Sequence, residues 1–247
     1  ALAAPCMAGM DSTDSASRSV MILGMGSGTY ASYCDRYFPG AAIQGAEIDG
    51  KIADIAHAYF GLPETVAVAA EYLGQGVAGI DLAGAEGIVP PKTFAPLFRR
   101  AAELGIPCTC HAGDSPGPDT VADALDFGAR RIGHGHHIYQ DPALVRRAAD
   151  LGVTLEICPT SNIQCKTQPS YEAHPAKNLM EMGLGVCINT DNATLAGVTL
   201  SAEYRHCLDE MGFTYEDLLS MNRCAIRASF APMEVKERIL TALKRCQ

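Results

Sequence analysis

From residue 67 to about residue 191 the chain repeats one texture five times: a helical stretch, then a short run rich in Val, Ile and Leu. The spacing predicts helices over 66–75, 91–104, 119–128, 141–151 and 171–182. Each feeds a predicted strand, over 77–83, 106–112, 130–135, 153–158 and 184–191. Strands that are apolar throughout and separated by helices imply a parallel sheet covered by helices, because parallel neighbours are joined only by crossovers. The fold class is therefore α/β. Five such strands make either an open doubly wound sheet or the larger part of a (β/α) barrel, and periodicity does not choose between them. The 247 residues suit a barrel, which runs to about 250. From Ser201 onward the tail reads as mainly helical.

Residues 19–66 have a different texture. An apolar run, SVMIL, enters a Gly-rich turn; ASYCDRYF reads as a helix, PGAAIQGAEIDG as a turn and second strand, and KIADIAHAYFGLP as a second helix. The expected organisation is a candidate barrel strand in 1–18, a Rossmann-like β-α-β-α segment over 19–66, and a barrel portion over 67–247.

Composition excludes some functions. A formal net charge of −9 opposes nucleic-acid binding, which needs Lys and Arg to neutralise phosphates. A nucleoside carries no phosphate and stays open. The ten cysteines form no CxxC pair, so reduced thiols in a cytoplasmic protein are expected. No apolar run approaches the ~20 residues of a membrane span, and no membrane partner is expected. The opening ALAAPCMAGM lacks the basic start and apolar stretch of a signal peptide.

The predicted strands end in polar residues. Asp81 closes the first, His111 and Asp114 the second, and His134, His136 and His137 the third. Pro159-Thr160-Ser161-Asn162 follows the fourth, and Asn189-Thr190-Asp191-Asn192 closes the fifth. In parallel α/β proteins the C-terminal strand ends face one side, where the active site lies. The chemistry this suggests is metal-assisted hydrolysis, since imidazole and carboxylate bind Zn²⁺ and a bound ion acidifies its water. His111 and Asp191 could be ligands, His134 a base or electrostatic partner, and Asp114 a donor to a ring nitrogen. His136 and His137 read as local support.

The set His111-Ala-Gly-Asp114, Arg131-Ile-Gly-His134-Gly-His136-His137, Cys158-Pro159-Thr160-Ser161-Asn162 and Asn189-Thr190-Asp191-Asn192, with Gly79-Ile80-Asp81-Leu82-Ala83-Gly84, resembles the adenosine deaminase family in order and spacing. The resemblance implies a zinc-dependent barrel hydrolase that converts adenosine or deoxyadenosine to the inosine form and ammonia. It implies His111 and Asp191 as metal ligands, and His134 as the residue that orients or deprotonates the attacking water. Asp114 stands where the family has a Glu that protonates purine N1. Asn192 stands where many members have an Asp that contacts N7, and Gly84 would offer its backbone to N3. The His-x-His pair of the family's first strand has no counterpart before His134, so two of the four family ligands are matched.

The segment Met21-Ile22-Leu23-Gly24-Met25-Gly26-Ser27-Gly28, with Glu47 after the second strand, resembles the nucleotide-binding start of spermidine synthase-like Rossmann methyltransferases. That resemblance implies Gly24, Gly26, Gly28 and Glu47 as nucleotide-binding residues and gives the alternative reading, an S-adenosyl-nucleoside-binding transferase. A catalytically inactive deaminase relative is the other alternative.

Overall fold

The structure, a computed structural model, describes residues 19–23, 42–46, 62–84, 86, 90–115 and 117–244. They fall into two compact units, one before Ala112 and one from Ala112 onward.

In the first unit β1 (Ser19–Leu23) and β2 (Ala42–Ala46) pair in parallel, as the two apolar runs predict. Gly24, Gly26, Gly28, Glu47, the predicted helices of 19–66 and the candidate strand in 1–18 lie outside the described residues. Helix α1 (Leu62–Glu71) precedes β3 (Ile80–Leu82), and a 3-10 turn, Pro91–Phe94, leads into α2 (Ala95–Glu103). Strand β4 (Cys108–Ala112) pairs with β3 in parallel. Val66, Ala69, Val77, Ala101 and Ile106 form this unit's buried cluster.

The second unit continues the alternation. Helix α3 (Asp119–Asp126) leads to β5 (Arg131–His134), α4 (Pro142–Asp150) to β6 (Thr154–Ile157), and α6 (Ala176–Glu181) to β7 (Gly185–Ile188). The three strands pair in parallel in the order β5-β6-β7. Every residue of β5 and β6 is buried, as expected for strands covered on both faces. The helices bury positions spaced by three and four, such as Val121, Ala124 and Leu125 in α3.

The helix exits repeat one device. Ile106 N–H bonds back to Ala101 O (2.9 Å), Ala129 to Ala124 (3.1 Å), Val153 to Ala148 (3.0 Å) and Leu184 to Leu179 (3.2 Å). This six-to-one closure sends each helix directly into the next strand.

Two segments differ from expectation. The helix predicted over 171–182 is confined to α6, because Pro175 sits at its N-cap and Ser170–His174 turn before it. Pro159–Gln164, where the sequence pattern predicts no helix, is the short helix α5, with Pro159 opening its first turn. The tail is helical: α7 (Ala193–Ala196), α8 (Leu200–Asp209), α9 (Tyr215–Ala228) and α10 (Met233–Leu243). No helix among the described residues is long and apolar enough to cross a membrane.

Candidate functional site

In the second unit the ends of β5, β6 and β7 carry the motif residues. The turn after β4 is tied to the end of β5 by backbone bonds. Gly135 N–H donates to Ala112 O (2.9 Å), and Gly113 O accepts both the His137 backbone N–H and His137 Nδ1–H, each at 3.1 Å. The Gly113 N–H donates to Thr120 Oγ1 (2.9 Å). These bonds set Asp114 and His134 side by side, with Asp114 Oδ1 3.6 Å from His134 Nδ1. His134 and Asp191 both adopt left-handed backbone conformations, at φ 59° and 53°. Lys166 is the one other non-glycine residue among those described that does so. Such conformations cost energy and concentrate at functional turns.

Asn162, wholly buried on α5, is the hub of this end. Its Nδ2 donates to Asp114 Oδ1 (2.8 Å) and to His134 Nδ1 (3.0 Å). Its Oδ1 accepts from His174 Nε2 (3.2 Å). Thr167 Oγ1 adds a second donor to Asp114 Oδ1 at 3.2 Å. Asp114 keeps a side-chain exposure of 30% against 6% for His134, so the carboxyl is reachable and the imidazole is enclosed.

Neighbouring carboxylates are held by the same helix. Ser161 Oγ donates to Asp191 Oδ2 (2.6 Å). The Thr160 backbone N–H, in the first turn of α5, points at both oxygens of the wholly buried Glu203 (3.2 and 3.3 Å). Burial pushes the Glu203 carboxyl up to about 6. Asn192 caps α7, its side chain accepting from Leu195 N (3.1 Å).

In the first unit His111 Nδ1 lies 3.2 Å from Asp81 Oδ1, both side chains being about three-tenths exposed. Gly84 follows β3 in an exposed turn and its carbonyl accepts from Glu86 N (3.0 Å). No group of three or more His, Cys, Asp or Glu side chains among the described residues could hold a metal ion. Catalytic zinc uses three protein ligands. The described residues therefore do not by themselves make a zinc site, although His111 and Asp191 have the right donor chemistry.

Two histidines next to this network are buried as neutral rings. His136 is fully buried, packs against His137 and His174 with ring centroids 4.3 and 5.5 Å away, and neither ring nitrogen has a hydrogen-bond partner. Burial, helped by the neighbouring histidines, lowers its pKa to about 2. The same cause lowers His174 to about 4. The seven described cysteines are free.

Sequence reasoning placed Asp114, His134 and Asp191 at strand ends, and the second unit bears that out. Ser161 and Asn162 lie within the Pro159-Thr160-Ser161-Asn162 motif, where the sequence alone assigns neither a role. Nothing in the sequence pattern marks Thr167, His174 or Glu203. The signal for Asn162 was its place one helical turn after a strand end; His174, alone in a Pro-flanked turn, had none.

The family model described as adenosine deaminase matches residues 52–246, starting inside the segment assigned above to the Rossmann-like texture. The chain is 36% identical over 201 residues to an adenine deaminase of Agrobacterium fabrum, covering 79% of this chain and 62% of that protein. It is 35% identical over 185 residues to an adenosine deaminase of Haemophilus ducreyi, covering 74% and 54%. It thus spans just over half to about three-fifths of the length of these two relatives. A crystal structure of an amidohydrolase from Burkholderia ambifaria with bound Zn superposes with a TM-score of 0.69 at 22% identity, covering 93% of this chain and 67% of that one. That likeness shows the α/β barrel fold.

Proposed function

The chain belongs to the adenosine deaminase family, and from that premise we propose that it is a hydrolase that removes the 6-amino group of adenosine or deoxyadenosine as ammonia. The observation that carries the reading is the convergence of Asp114 and His134 on the single buried amide of Asn162. An acid and an imidazole from different strand ends, 3.6 Å apart, are the pair that water addition to a purine ring needs.

Asp114 donates a proton to ring N1 as water oxygen bonds to C6, and His134 holds that oxygen. The C6–N bond then breaks: one water proton leaves with the amino group as ammonia, the other restores the Asp114 acid, and the ring keeps its N1 proton and a C6 carbonyl. Water and the 6-amino compound are consumed; the 6-oxo compound and ammonia are formed. Asp114 is one methylene shorter than the family's usual Glu, and its pinning by Asn162 and Thr167 fits an acid that has little reach to spare. Gly84 and Asn192 are the proposed contacts to the ring's N3 and N7.

Zinc enters this proposal through the family resemblance, with His111 and Asp191 as the assigned residues; bound, it would lower the pKa of a water toward 7. The Agrobacterium relative makes adenine, the free base, the competing substrate. Loss of absorbance with adenosine and with adenine, plus ammonia release and metal analysis of the purified protein, tests the reading. Adenosine turnover with metal bound supports it; a folded, metal-loaded protein that turns over neither compound overturns it. Asp114→Asn should remove most activity, roughly 10²–10⁴-fold, without removing metal. Lost metal, or unchanged turnover, would mean the acid is elsewhere.

A further inference from the structure

We propose that His174 is a positioning residue that, through Asn162, fixes which ring nitrogen of His134 carries the proton and holds the carboxyl of Asp114. The inference rests on the proposed deaminase reading only for the consequence in turnover; the geometry stands without it.

Four hydrogen bonds leave one consistent assignment of donors and acceptors. The Ala176 backbone N–H can only donate, and it meets His174 Nδ1 at 3.2 Å. His174 Nδ1 is therefore the acceptor nitrogen, and the proton of the neutral ring sits on Nε2. The low pKa of this ring, about 4, keeps it neutral near pH 7. His174 Nε2–H then meets Asn162 at 3.2 Å and requires an acceptor there, which is Oδ1. With the oxygen so placed, the Asn162 amide nitrogen faces Asp114 Oδ1 (2.8 Å) and His134 Nδ1 (3.0 Å) and donates to both. His134 Nδ1 is thus an acceptor, and the proton of its neutral ring sits on Nε2.

The opposite orientation of Asn162 would set its carbonyl against the Asp114 carboxylate. It would also set its amide N–H against an N–H of His174. Both are repulsive inside a buried network, where unpaired polar groups are costly. The chain of bonds begins at a backbone N–H that cannot reverse, so the orientation is not left to the site itself.

The consequence is chemical. With Nε2 protonated, His134 acts as a hydrogen-bond donor to the attacking oxygen and stabilises its charge. The other tautomer would present a bare nitrogen there. A partner that selects the tautomer of a catalytic histidine has a large effect on rate without touching substrate. A packing role alone would need only the volume of the His174 ring, not two directional bonds on its two nitrogens.

Two substitutions separate these roles. In His174→Asn the short amide can still accept from Ala176 N–H but falls short of Asn162. In His174→Gln the longer amide can still donate to Asn162 Oδ1. The ¹⁵N shifts of the His134 ring read its tautomer directly and do not depend on turnover. We expect wild type and His174→Gln to show protonated Nε2 and bare Nδ1, and His174→Asn to show a mixture. Turnover in His174→Asn should fall by about 10- to 100-fold in kcat with KM nearly unchanged, and His174→Gln should recover most of it. The proposal is overturned if His134 keeps one tautomer in His174→Asn, or if both variants shift it equally. If the tautomer responds as expected while wild type deaminates nothing, the relay stands and the deaminase reading fails alone.

Discussion

Two parts of the β5-β6-β7 sheet are built on opposite rules. Within the strands, Arg131 at the start of β5 reaches Glu156, the third residue of β6, with Nε to Oε1 at 2.7 Å and a second contact from the same guanidinium, and stacks over Phe230 at 4.3 Å. Both charges are buried and paired, and the backbone is ordinary. At the C-terminal ends, His134 and Asp191 sit at positive φ, Asp114 is partly open, and an uncharged Asn–His chain holds the acid in place. Opposite charges that neutralise each other serve stability. Groups held short of mutual neutralisation can still act on a ligand. On the proposed function, the same strands carry a structural pair within their span and the reacting groups at their C-terminal ends.

Removing a group from each part should break the comparison in opposite ways, the C-terminal strand ends first. His134→Ala should lower deaminase activity by roughly 10²–10⁴-fold. Its unfolding midpoint should move less than in the charge-pair variant below, because the main loss is one buried hydrogen bond, from Asn162 Nδ2 to the ring. Activity close to wild type would remove His134 from the chemistry. Within the strands, Glu156→Leu leaves Arg131 buried without its carboxylate and should cost about 3–5 kcal/mol of stability. Activity per folded molecule should stay near wild type. The double variant Arg131→Met, Glu156→Leu should recover much of the loss, since a buried pair replaced by apolar groups is often nearly neutral. Denaturant unfolding of the three proteins decides this.

A smaller effect tests the junction between the backbone and the reactive end. Gly135 has φ 69°, and a Cβ there would stand 2.7 Å from Leu155 Cδ2 and 3.1 Å from Ile132 Cγ2. Gly135→Ala should therefore cost about 1–3 kcal/mol through strain and crowding. It should also reduce kcat, because Gly135 N–H is the bond to Ala112 that sets Asp114 beside His134. A loss of stability with kcat unchanged would separate the fold of this turn from the placement of the acid.

This contrast also explains what the sequence could disclose. The αβ alternation was legible because strand runs and helix exits are local: VTLEI and Leu151-Gly152-Val153 each announce their own geometry. His134, Asp114 and Asp191 were legible because polar residues at the ends of apolar strands have few structural reasons to be there. His174 was not, since its meaning lies in bonds to Asn162, twelve residues back, across a turn that breaks the expected helix at Pro175. The Arg131–Glu156 pair joins two strands 25 residues apart, and nothing local to either residue marks the match. Local pattern reports elements; partner choice between elements is set by packing.

The smallest effect is the pH dependence that the reactive end should write into stability. His136 and His174 have folded pKa values lowered to about 2 and about 4 by burial, against 6.5 for the free side chain. Below 6.5 the unfolded chain binds protons that the folded rings refuse. Their contribution is fully present above pH 6.5 and is lost as pH falls, through about 4 for His174 and on toward 2 for His136. Each adds a slope of up to about 1.4 kcal/mol per pH unit in that window. Glu203 works with the opposite sign. Its folded pKa is raised to about 6 from 4.5, so its contribution is present below 4.5 and lost as pH rises through 6. Between about pH 4.5 and 6 the carboxyl therefore offsets roughly one of the two histidines. Glu203→Gln should steepen the acid loss of stability in this window, and His136→Leu should flatten it, each by up to about 1.4 kcal/mol per pH unit. Urea midpoints at pH 7, 6, 5.3 and 4.5 measure both. If His136→Leu left the slope unchanged, the ring would be taking up a proton within the fold, and this end of the strands would be wetter than its packing shows.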